Sequence, residues 1–339
     1  MTAPVLPPAL PPDGHIAVVS TSWGGIGELP ARAARARAAL EGLGYRVTLT
    51  PHATGTADGP RAWVAGSAEQ RLADLHAAFA DPDVDMVLSA IGGNHSAHLL
   101  EGLDLDLIRA NPKPFCGYSD TTTLLQAIHA RTGLVTFYGP AFLPEFGEIG
   151  GPDPEVVAHF QRVLGRAEPA GPLPVESWQA KEDRRVTDPA GRPRERVQGE
   201  PRQILREGAG EGPFLAGCLP CIRNLIGTPW GPDFSGRVLV VETPEEPYDA
   251  SDADADLAHL RNAGCLDELA ALAVGRTEGW SPADVEVLHA CVLDAVRGFD
   301  YPLLAGVEVT HSSPLLTIPL GVRGSVDGLD LVIDGAAVC

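Results

Sequence analysis

The chain has 339 residues, of which 44% are hydrophobic and 21% charged, a composition that is typical of folded globular proteins and excludes a disordered chain. This length favours two domains over one. Acidic residues outnumber basic ones by 45 to 25, and the formal net charge of -20 argues against nucleic acid or an anionic membrane surface as a partner.

The compartment is indicated by what the sequence lacks. The Pro-rich stretch 1–14 has no features of a secretory signal, and no apolar run approaches the length of a membrane span. The six cysteines are scattered along the chain, which favours a reducing compartment over a disulfide framework. We therefore expect a cytoplasmic protein. Cys218 and Cys221 form a C-x-x-C pair that could serve redox chemistry or zinc, but without a second pair a structural role is favoured.

Strand and helix patterns alternate through the first half of the chain. Apolar runs predict strands at 15–20, 45–50, 86–90, 115–118 and 134–138. Helical spacing predicts helices at 30–43, 68–80 and 96–102, and a further helix that a threonine among 121–123 caps and Gly133 ends. This alternation predicts an α/β domain over residues 1–165, an open parallel sheet with helices on both faces. Such sheets bind ligands at the carboxyl ends of their strands.

The second half of the chain has a mixed pattern. Residues 166–212 are rich in proline and charge and are predicted to be a linker or long loop. Strand patterns follow at 237–241, 272–275, 306–310 and 316–320, with a hairpin over 324–333, and helices are predicted at 253–261, 265–271 and 281–299. Residues 213–339 are therefore predicted to form a smaller, mixed α+β domain.

Ser119 follows the strand that breaks at Gly117 and precedes the helix at 121–133. A serine on such a turn has an exposed hydroxyl, and the free N–H groups of the helix start favour developing negative charge. Helix capping is nevertheless the commoner role for a serine at this position. Thr121 also stands where the hydrolase elbow pattern has its second glycine. The spacing alone therefore leaves both interpretations open.

A serine nucleophile requires a base and an acid that orients the base. Among ten histidines, His311 follows the strand at 306–310 and precedes a rigid turn containing Pro314, whereas the others lack a loop to present them or suit other roles. Glu242 holds the matching position at the end of the strand at 237–241. We therefore expect Ser119, Glu242 and His311 to form a catalytic triad.

These residues resemble three signature blocks of the LD-carboxypeptidase family of serine peptidases: Gly117-Tyr118-Ser119-Asp120, the strand ending in Glu242, and His311 with the following Leu316-Thr317-Ile318-Pro319-Leu320-Gly321. The resemblance spans nearly the whole chain. It implies a parallel-sheet domain with the nucleophile, a smaller domain like a swivelling barrel with the other two residues, a homodimer, and neither metal nor cofactor. It also implies that the backbone N–H groups of Gly93 and Asp120 form the oxyanion hole.

The resemblance extends to one branch of the family. Murein-recycling members typically have an arginine before the glycine pair, where this chain has Ile91. The loop with Gly92 and Asn94 is more similar to the branch of the microcin C immunity peptidase, which cleaves the amide between an acidic amino acid and a sulfamoyl or phosphoramidate nucleotide. The resemblance implies that Gly92 and Asn94 contact substrate and that Trp178 stacks on the base. Cys218 stands where the family often has an asparagine, so a polar substrate contact is expected to be missing.

Three alternatives remain open at the level of sequence. The first is a murein LD-carboxypeptidase that removes terminal D-alanine from a muramoyl tetrapeptide. The second is a non-catalytic domain that uses the same loops to bind a small ligand. The third is a cysteine enzyme that uses Cys116 or Cys221, although Cys116 falls within a predicted strand. For both the murein carboxypeptidase and the favoured immunity-type peptidase, the expected partner is a small substrate, either a peptide or a peptidyl nucleotide.

Overall fold

The computed structural model describes residues 4–57, 62–181 and 191–339. The strands in these ranges are β1 His15–Val19, β2 Arg46–Leu49, β3 Met86–Ser89, β4 Phe115–Gly117, β5 Phe137–Tyr138, β6 Pro169–Pro172, β7 Trp178–Ala180, β8 Arg196–Gln198, β9 Gln203–Arg206, β10 Ala209–Cys218, β11 Val238–Glu242, β12 Ala271–Gly275, β13 Leu303–Val307, β14 Ile318–Pro319, β15 Arg323–Asp327 and β16 Asp330–Ala336. The α-helices are α1 Gly25–Glu28, α2 Pro30–Gly42, α3 Ala68–Ala80, α4 Leu105–Ala110, α5 Thr122–Thr132, α6 Pro154–Gly165, α7 Leu219–Leu225, α8 Ala250–Asn262 and α9 Pro282–Ala295.

The first sheet confirms the predicted α/β architecture. Its strand order is β14-β5-β4-β3-β1-β2, and all the pairs from β5 to β2 are parallel. Because the strands are parallel, the loops after β1, β3 and β4 meet at one edge of the sheet. β14 comes from the far end of the chain and pairs antiparallel with β5, so the sheet is completed by a C-terminal segment.

Local sequence signals explain where the helices of this sheet begin and end. Ser67 and Gln70 form a capping box that starts α3, which spans the range predicted from sequence. Gly133 ends α5 in the left-handed conformation at φ 76°, also as predicted. The prediction of a threonine cap for α5 is wrong. The hydroxyl of Thr121 instead bonds to Ser89 Oγ, and that of Thr122 accepts a hydrogen bond from the backbone of Cys218, because both are buried at the junction of the sheets.

The second sheet has the order β6-β16-β15-β10-β11-β12-β13-β9, with a parallel centre from β10 to β13 and antiparallel edges. Alternate residues of its central strands point to two cores. Val238 and Val240 join the core that continues into the first sheet, whereas Leu239 and Val241 join a second core under α8 and α9. The strands are therefore buried on both faces, and the site residues at their carboxyl ends have fixed positions.

Two expectations about this half of the chain are wrong. The stretch 166–212, predicted as a linker or long loop, contains four strands and the start of β10, and two of those strands are the edges of the second sheet. The prolines at both ends of β6 suggested a loop, although proline is tolerated at sheet edges. The predicted helix at 265–271 is a turn leading into β12. Its apolar residues Cys265, Leu266 and Leu269 pack into the second core, and their spacing imitates a helical face. The domain boundaries at 165 and 213 stay a prediction.

Candidate active site

Ser119 lies at the turn between β4 and α5. Among the described residues it is the one non-glycine residue with a left-handed backbone, at φ 57°. A β-carbon at Gly117 would lie 2.6 Å from the Cβ of Ser89, so the end of β4 requires glycine. Strain of this kind in a serine at a strand-to-helix turn is typical of a displayed nucleophile and costs on the order of 1–3 kcal/mol.

The glycine loop after β3 packs directly against Ser119. A β-carbon at Gly92 would lie 2.8 Å from the Oγ of Ser119, and one at Gly93, which has φ 138°, would lie 2.4 Å from the Oγ of Ser22. Asp120 holds this loop through its carboxylate, which accepts hydrogen bonds from the backbone N–H groups of His95 and Ser96, both at 2.8 Å. The loop and the turn of Ser119 are therefore fixed together.

Glu242 and His311 form a buried hydrogen-bonded pair at the carboxyl end of the second sheet. Glu242 ends β11 and is fully buried, and its Oε2 lies 2.6 Å from the Nδ1 of His311. The ring of His311 packs edge-on against that of Tyr118 with the centroids 5.0 Å apart. Nε2 of His311 is buried and has no hydrogen-bond partner among the described residues. The hydrogen-bonding capacity of this nitrogen is therefore unused within the described part of the chain.

Tyr138 connects the two halves of the site. Its hydroxyl donates to Glu242 Oε1 at 2.5 Å and accepts a hydrogen bond from the backbone N–H of Ser119 at 3.3 Å. Burial and the charge of Glu242 raise the pKa of Tyr138 well above its ordinary value, so it is a neutral donor. The sequence patterns predicted a strand at 134–138 but gave the side chain of Tyr138 no role. Its position at the end of β5, beside the strand of the serine, was the available signal.

The charges around His311 favour its protonated form. Burial by itself would lower the pKa of His311, but the charge and hydrogen bond of Glu242, with further charge from Glu245 and Glu278, raise this pKa to about 9. Glu245 is close enough for a direct effect, because its Oε2 lies 3.8 Å from Nε2 of His311. The imidazole therefore holds a proton at neutral pH when no substrate is bound.

A cavity of about 680 Å³ opens beside the serine. Gly93, Asn94 and Ser119 form part of its wall, and the segment from Pro244 to Tyr248 with one side of α8 forms much of the rest. The cavity wall thus places Gly93, a predicted oxyanion residue, and Asn94, a predicted substrate-binding residue, beside the predicted nucleophile. Glu245 was missed from sequence because its relevance depends on the fold that brings it to the histidine.

Cys218, Glu242 and His311 are the one group of possible metal ligands found among the described residues, with ligand atoms within 4.8 Å of one another. Burial raises the pKa of the Cys218 thiol well above its ordinary value, so the thiol is neutral. Glu242 already receives two hydrogen bonds, from Tyr138 and from the histidine. The arrangement therefore fits an acid–base pair better than a metal site. Of the two candidates of the cysteine-enzyme alternative, Cys116 is fully buried and Cys221 is half-buried.

Trp178 lies on β7, which forms a two-stranded hairpin with β8. The guanidinium of Arg196 lies 3.7 Å from the centre of its ring, and Trp178 is not among the described residues that line the cavity. The hairpin is anchored by Arg276, which donates to the backbone carbonyl of Trp178 at 3.1 Å and pairs with buried Glu308 at 2.9 Å. The end of β7 also bonds to the turn after the histidine, since the backbone N–H of Ala180 donates to the carbonyl of Ser313 at 2.8 Å.

Two family models match the chain, one in its first half and one in its second half. Residues 16–139 match the LD-carboxypeptidase N-terminal domain, and residues 211–326 match the LD-carboxypeptidase C-terminal domain. The microcin C7 self-immunity protein MccF of Escherichia coli is 31% identical over 77% of this chain and 76% of its own length. The chain belongs to the LD-carboxypeptidase family.

Two further similarities give the family membership its context. The "Probable murein peptide carboxypeptidase" of Bacillus subtilis (strain 168) is 30% identical over 96% of this chain and 88% of its own length. The solved structure of MccF in complex with aspartyl sulfamoyl adenosine aligns with a TM-score of 0.88 at 28% identity, over 99% of this chain and all of that one. Membership of this family makes the chain a hydrolase of the carboxypeptidase type. Across the described ranges, no helix has the length and hydropathy that crossing a membrane requires.

Proposed function

We propose that this protein hydrolyses an amide bond with Ser119 as nucleophile, His311 as general base and Glu242 as the residue that orients the base. One observation carries the proposal: the strained serine is joined through Tyr138 to the buried Glu242–His311 pair, and the buried Nε2 of that histidine makes no hydrogen bond to any described residue. A plain helix cap does not account for this arrangement, because the N-cap position of α5 is held by Thr121 and not by Ser119.

The reaction proceeds by acyl transfer. Nε2 of His311 takes the hydroxyl proton as Oγ of Ser119 bonds to the carbonyl carbon, and the carbonyl oxygen becomes an oxyanion. The backbone N–H groups of Gly93 and Asp120 donate to that oxyanion. The C–N bond then breaks and His311 gives its proton to the leaving amine. Water, deprotonated by the same imidazole, then attacks the acyl-serine. The ester bond to Oγ breaks, the acid is released, and His311 returns the proton to Oγ of Ser119.

The substrate that we propose is an aminoacyl nucleotide joined through a sulfamoyl or phosphoramidate group. The support is the similarity to MccF, whose solved complexes contain aspartyl sulfamoyl adenosine and glutamyl sulfamoyl guanosine. Gly92, Asn94 and Trp178 are the residues that we propose for binding this substrate, Trp178 by stacking on the base. The second candidate is a murein peptide ending in D-alanine, which the similarity to the Bacillus subtilis protein over 96% of this chain favours.

We further propose a cytoplasmic homodimer with an N-terminal domain over residues 1–165 and a C-terminal domain over 213–339. The matched ranges 16–139 and 211–326 support the two domains. Sedimentation at micromolar concentration measures the oligomeric state, and a monomer would exclude the homodimer.

The proposal is tested by comparing purified wild-type protein with Ser119→Ala on both substrates. Ser235→Ala is the control, because Ser235 is an exposed serine that bonds to Glu268 in the turn before β11. We expect the Ser119 variant to lose turnover by several orders of magnitude while keeping its fold, and the Ser235 variant to keep its turnover. A fully active Ser119→Ala protein would exclude the mechanism. Hydrolysis of neither substrate, with binding retained, would favour the non-catalytic alternative.

A further inference from the structure

The cavity beside Ser119 has a strongly acidic wall. Among its described lining residues, carboxylates outnumber guanidinium groups by four to one. The carboxylates are those of Glu245, Glu246, Asp252 and Asp256, and the guanidinium is that of Arg223. The Nε of Arg223 lies 2.9 Å from a carboxylate oxygen of Asp256, so this guanidinium is already paired with the wall itself, and His259 also lines the cavity.

The negative charge extends to the reacting centre. The 3.8 Å separation between Glu245 and Nε2 of His311 places a carboxylate of the wall beside the proposed general base. The side chain of His311 is only 6% exposed, and its Nε2 makes no hydrogen bond to a described residue and faces this wall. The acidic wall and the proposed catalytic groups therefore belong to one site that is shaped for a ligand.

The chemistry of the substrate decides which of its parts fits this wall. In an aminoacyl sulfamoyl nucleoside the leaving group contains a nucleoside and a sulfamate, neither of which is cationic. The acyl group contains an α-ammonium and an amino-acid side chain. Carboxylates across an interface attract an ammonium and repel a second carboxylate. The acyl group is therefore the part that the cavity accommodates, and its side chain experiences the same negative potential.

We propose that the acidic cavity selects substrates whose acyl residue has a cationic side chain, a protonated amine, over substrates whose acyl residue is acidic. This inference rests on the proposed function. It separates this chain from MccF, whose solved complexes hold aspartyl and glutamyl conjugates. The selectivity arises from Glu245 and Glu246, which are both exposed to the cavity, together with the carboxylates of α8.

The test uses the purified full-length protein and three sulfamoyl adenosines that carry lysyl, asparaginyl or aspartyl groups. Asparaginyl and aspartyl groups have nearly the same shape, so their difference reports charge. We expect kcat/KM to fall in the order lysyl, asparaginyl, aspartyl, with at least about a tenfold difference between the first and the last. The difference should shrink at high salt, because exposed carboxylates are screened.

Two charge-reversal variants locate the selectivity. Glu246→Lys places a cation in the wall and should move the aspartyl-to-lysyl ratio of kcat/KM by about tenfold or more towards aspartyl. Glu207→Lys is the control, because it changes the net charge by the same amount. Glu207 follows β9 at the end of the sheet where β13 begins, and Glu242 lies at the opposite end. The control should leave the ratio unchanged.

The outcomes separate the two proposals. Serine-dependent hydrolysis with aspartyl equal to or better than asparaginyl and lysyl would overturn the selectivity and leave the proposed function intact. An equal effect of Glu207→Lys and Glu246→Lys would likewise overturn it, because the cause would then be net charge. If wild-type protein hydrolyses none of the three sulfamoyl adenosines, or if hydrolysis survives Ser119→Ala, the proposed function itself is overturned.

Discussion

Replacing Glu245 with glutamine should make the enzyme more active at neutral pH. The general base must be neutral to accept the serine proton, and the pKa of His311 is raised to about 9. At pH 7 only about 1% of the imidazole is therefore neutral. Glu245→Gln removes a charge that lies 3.8 Å from Nε2 of His311 and favours its protonated form. Without that charge the pKa falls and the neutral fraction rises.

The size of the effect follows from the distance and from solvent exposure. Two unit charges 3.8 Å apart interact by about 1 kcal/mol in water and by about 4 kcal/mol at an effective dielectric constant of 20. The side chain of Glu245 is 53% exposed, so screening favours the smaller figure. That figure corresponds to a fall in the pKa of about half to one unit and to a rise in kcat/KM at pH 7 of about threefold to tenfold.

The assay is kcat/KM for a substrate with an uncharged acyl side chain, measured from pH 6 to pH 10. For wild-type protein we expect a rise of about tenfold per pH unit that levels off near the pKa of about 9. The Glu245→Gln profile should have the same shape and level off at lower pH, whereas Glu207→Gln should reproduce the wild-type profile. An unchanged or raised inflection in Glu245→Gln would refute the electrostatic coupling, whatever the absolute rates.

Two other variants probe contacts that only the structure identifies. Tyr138→Phe removes the hydroxyl bonded to Glu242 and to the backbone N–H of Ser119. A hydrogen bond to a charged group contributes about 1.5–3 kcal/mol, so kcat/KM should fall by about tenfold to a hundredfold. Urea unfolding of the variant should stay cooperative. Unchanged kinetics would show that activity does not require the hydrogen bonds of Tyr138 to Ser119 and Glu242. Trp178→Ala should raise KM for an aminoacyl nucleotide by about fivefold to a hundredfold, the value of one stacked base, and leave a peptide substrate unaffected. Equal changes in both KM values would contradict stacking by Trp178.

Local sequence determined much of the first domain. The alternation of apolar runs and helical spacing predicted the parallel sheet, and the capping residues fixed α3 at Ala68–Ala80. The turn signal at Gly117 identified Ser119 as a residue of interest before its left-handed backbone was known. These features depend on neighbours within a few residues, so the sequence contains them directly.

The edge strands and the turn at 265–271 could not be predicted in the same way. β6 and β9 are strands because β16 and β13 offer them hydrogen-bonding partners, and their own composition resembles a loop. The stretch at 265–271 has apolar residues at helical spacing but is drawn into the second core as a turn. In both cases tertiary packing overrides local propensity.

The sequence by itself determined the class of fold, the serine at its turn, the glutamate that ends β11, and the histidine in the loop that follows β13. Only the tertiary structure decided how these groups are joined, because Tyr138 and Glu242 are 104 residues apart and meet where two sheets pack together. It also decided that Glu245 lies beside His311 and that four carboxylates surround one cavity. Electrostatic interactions depend on distance in space, and residues distant in sequence set the proton affinity of the base and the charge of the cavity.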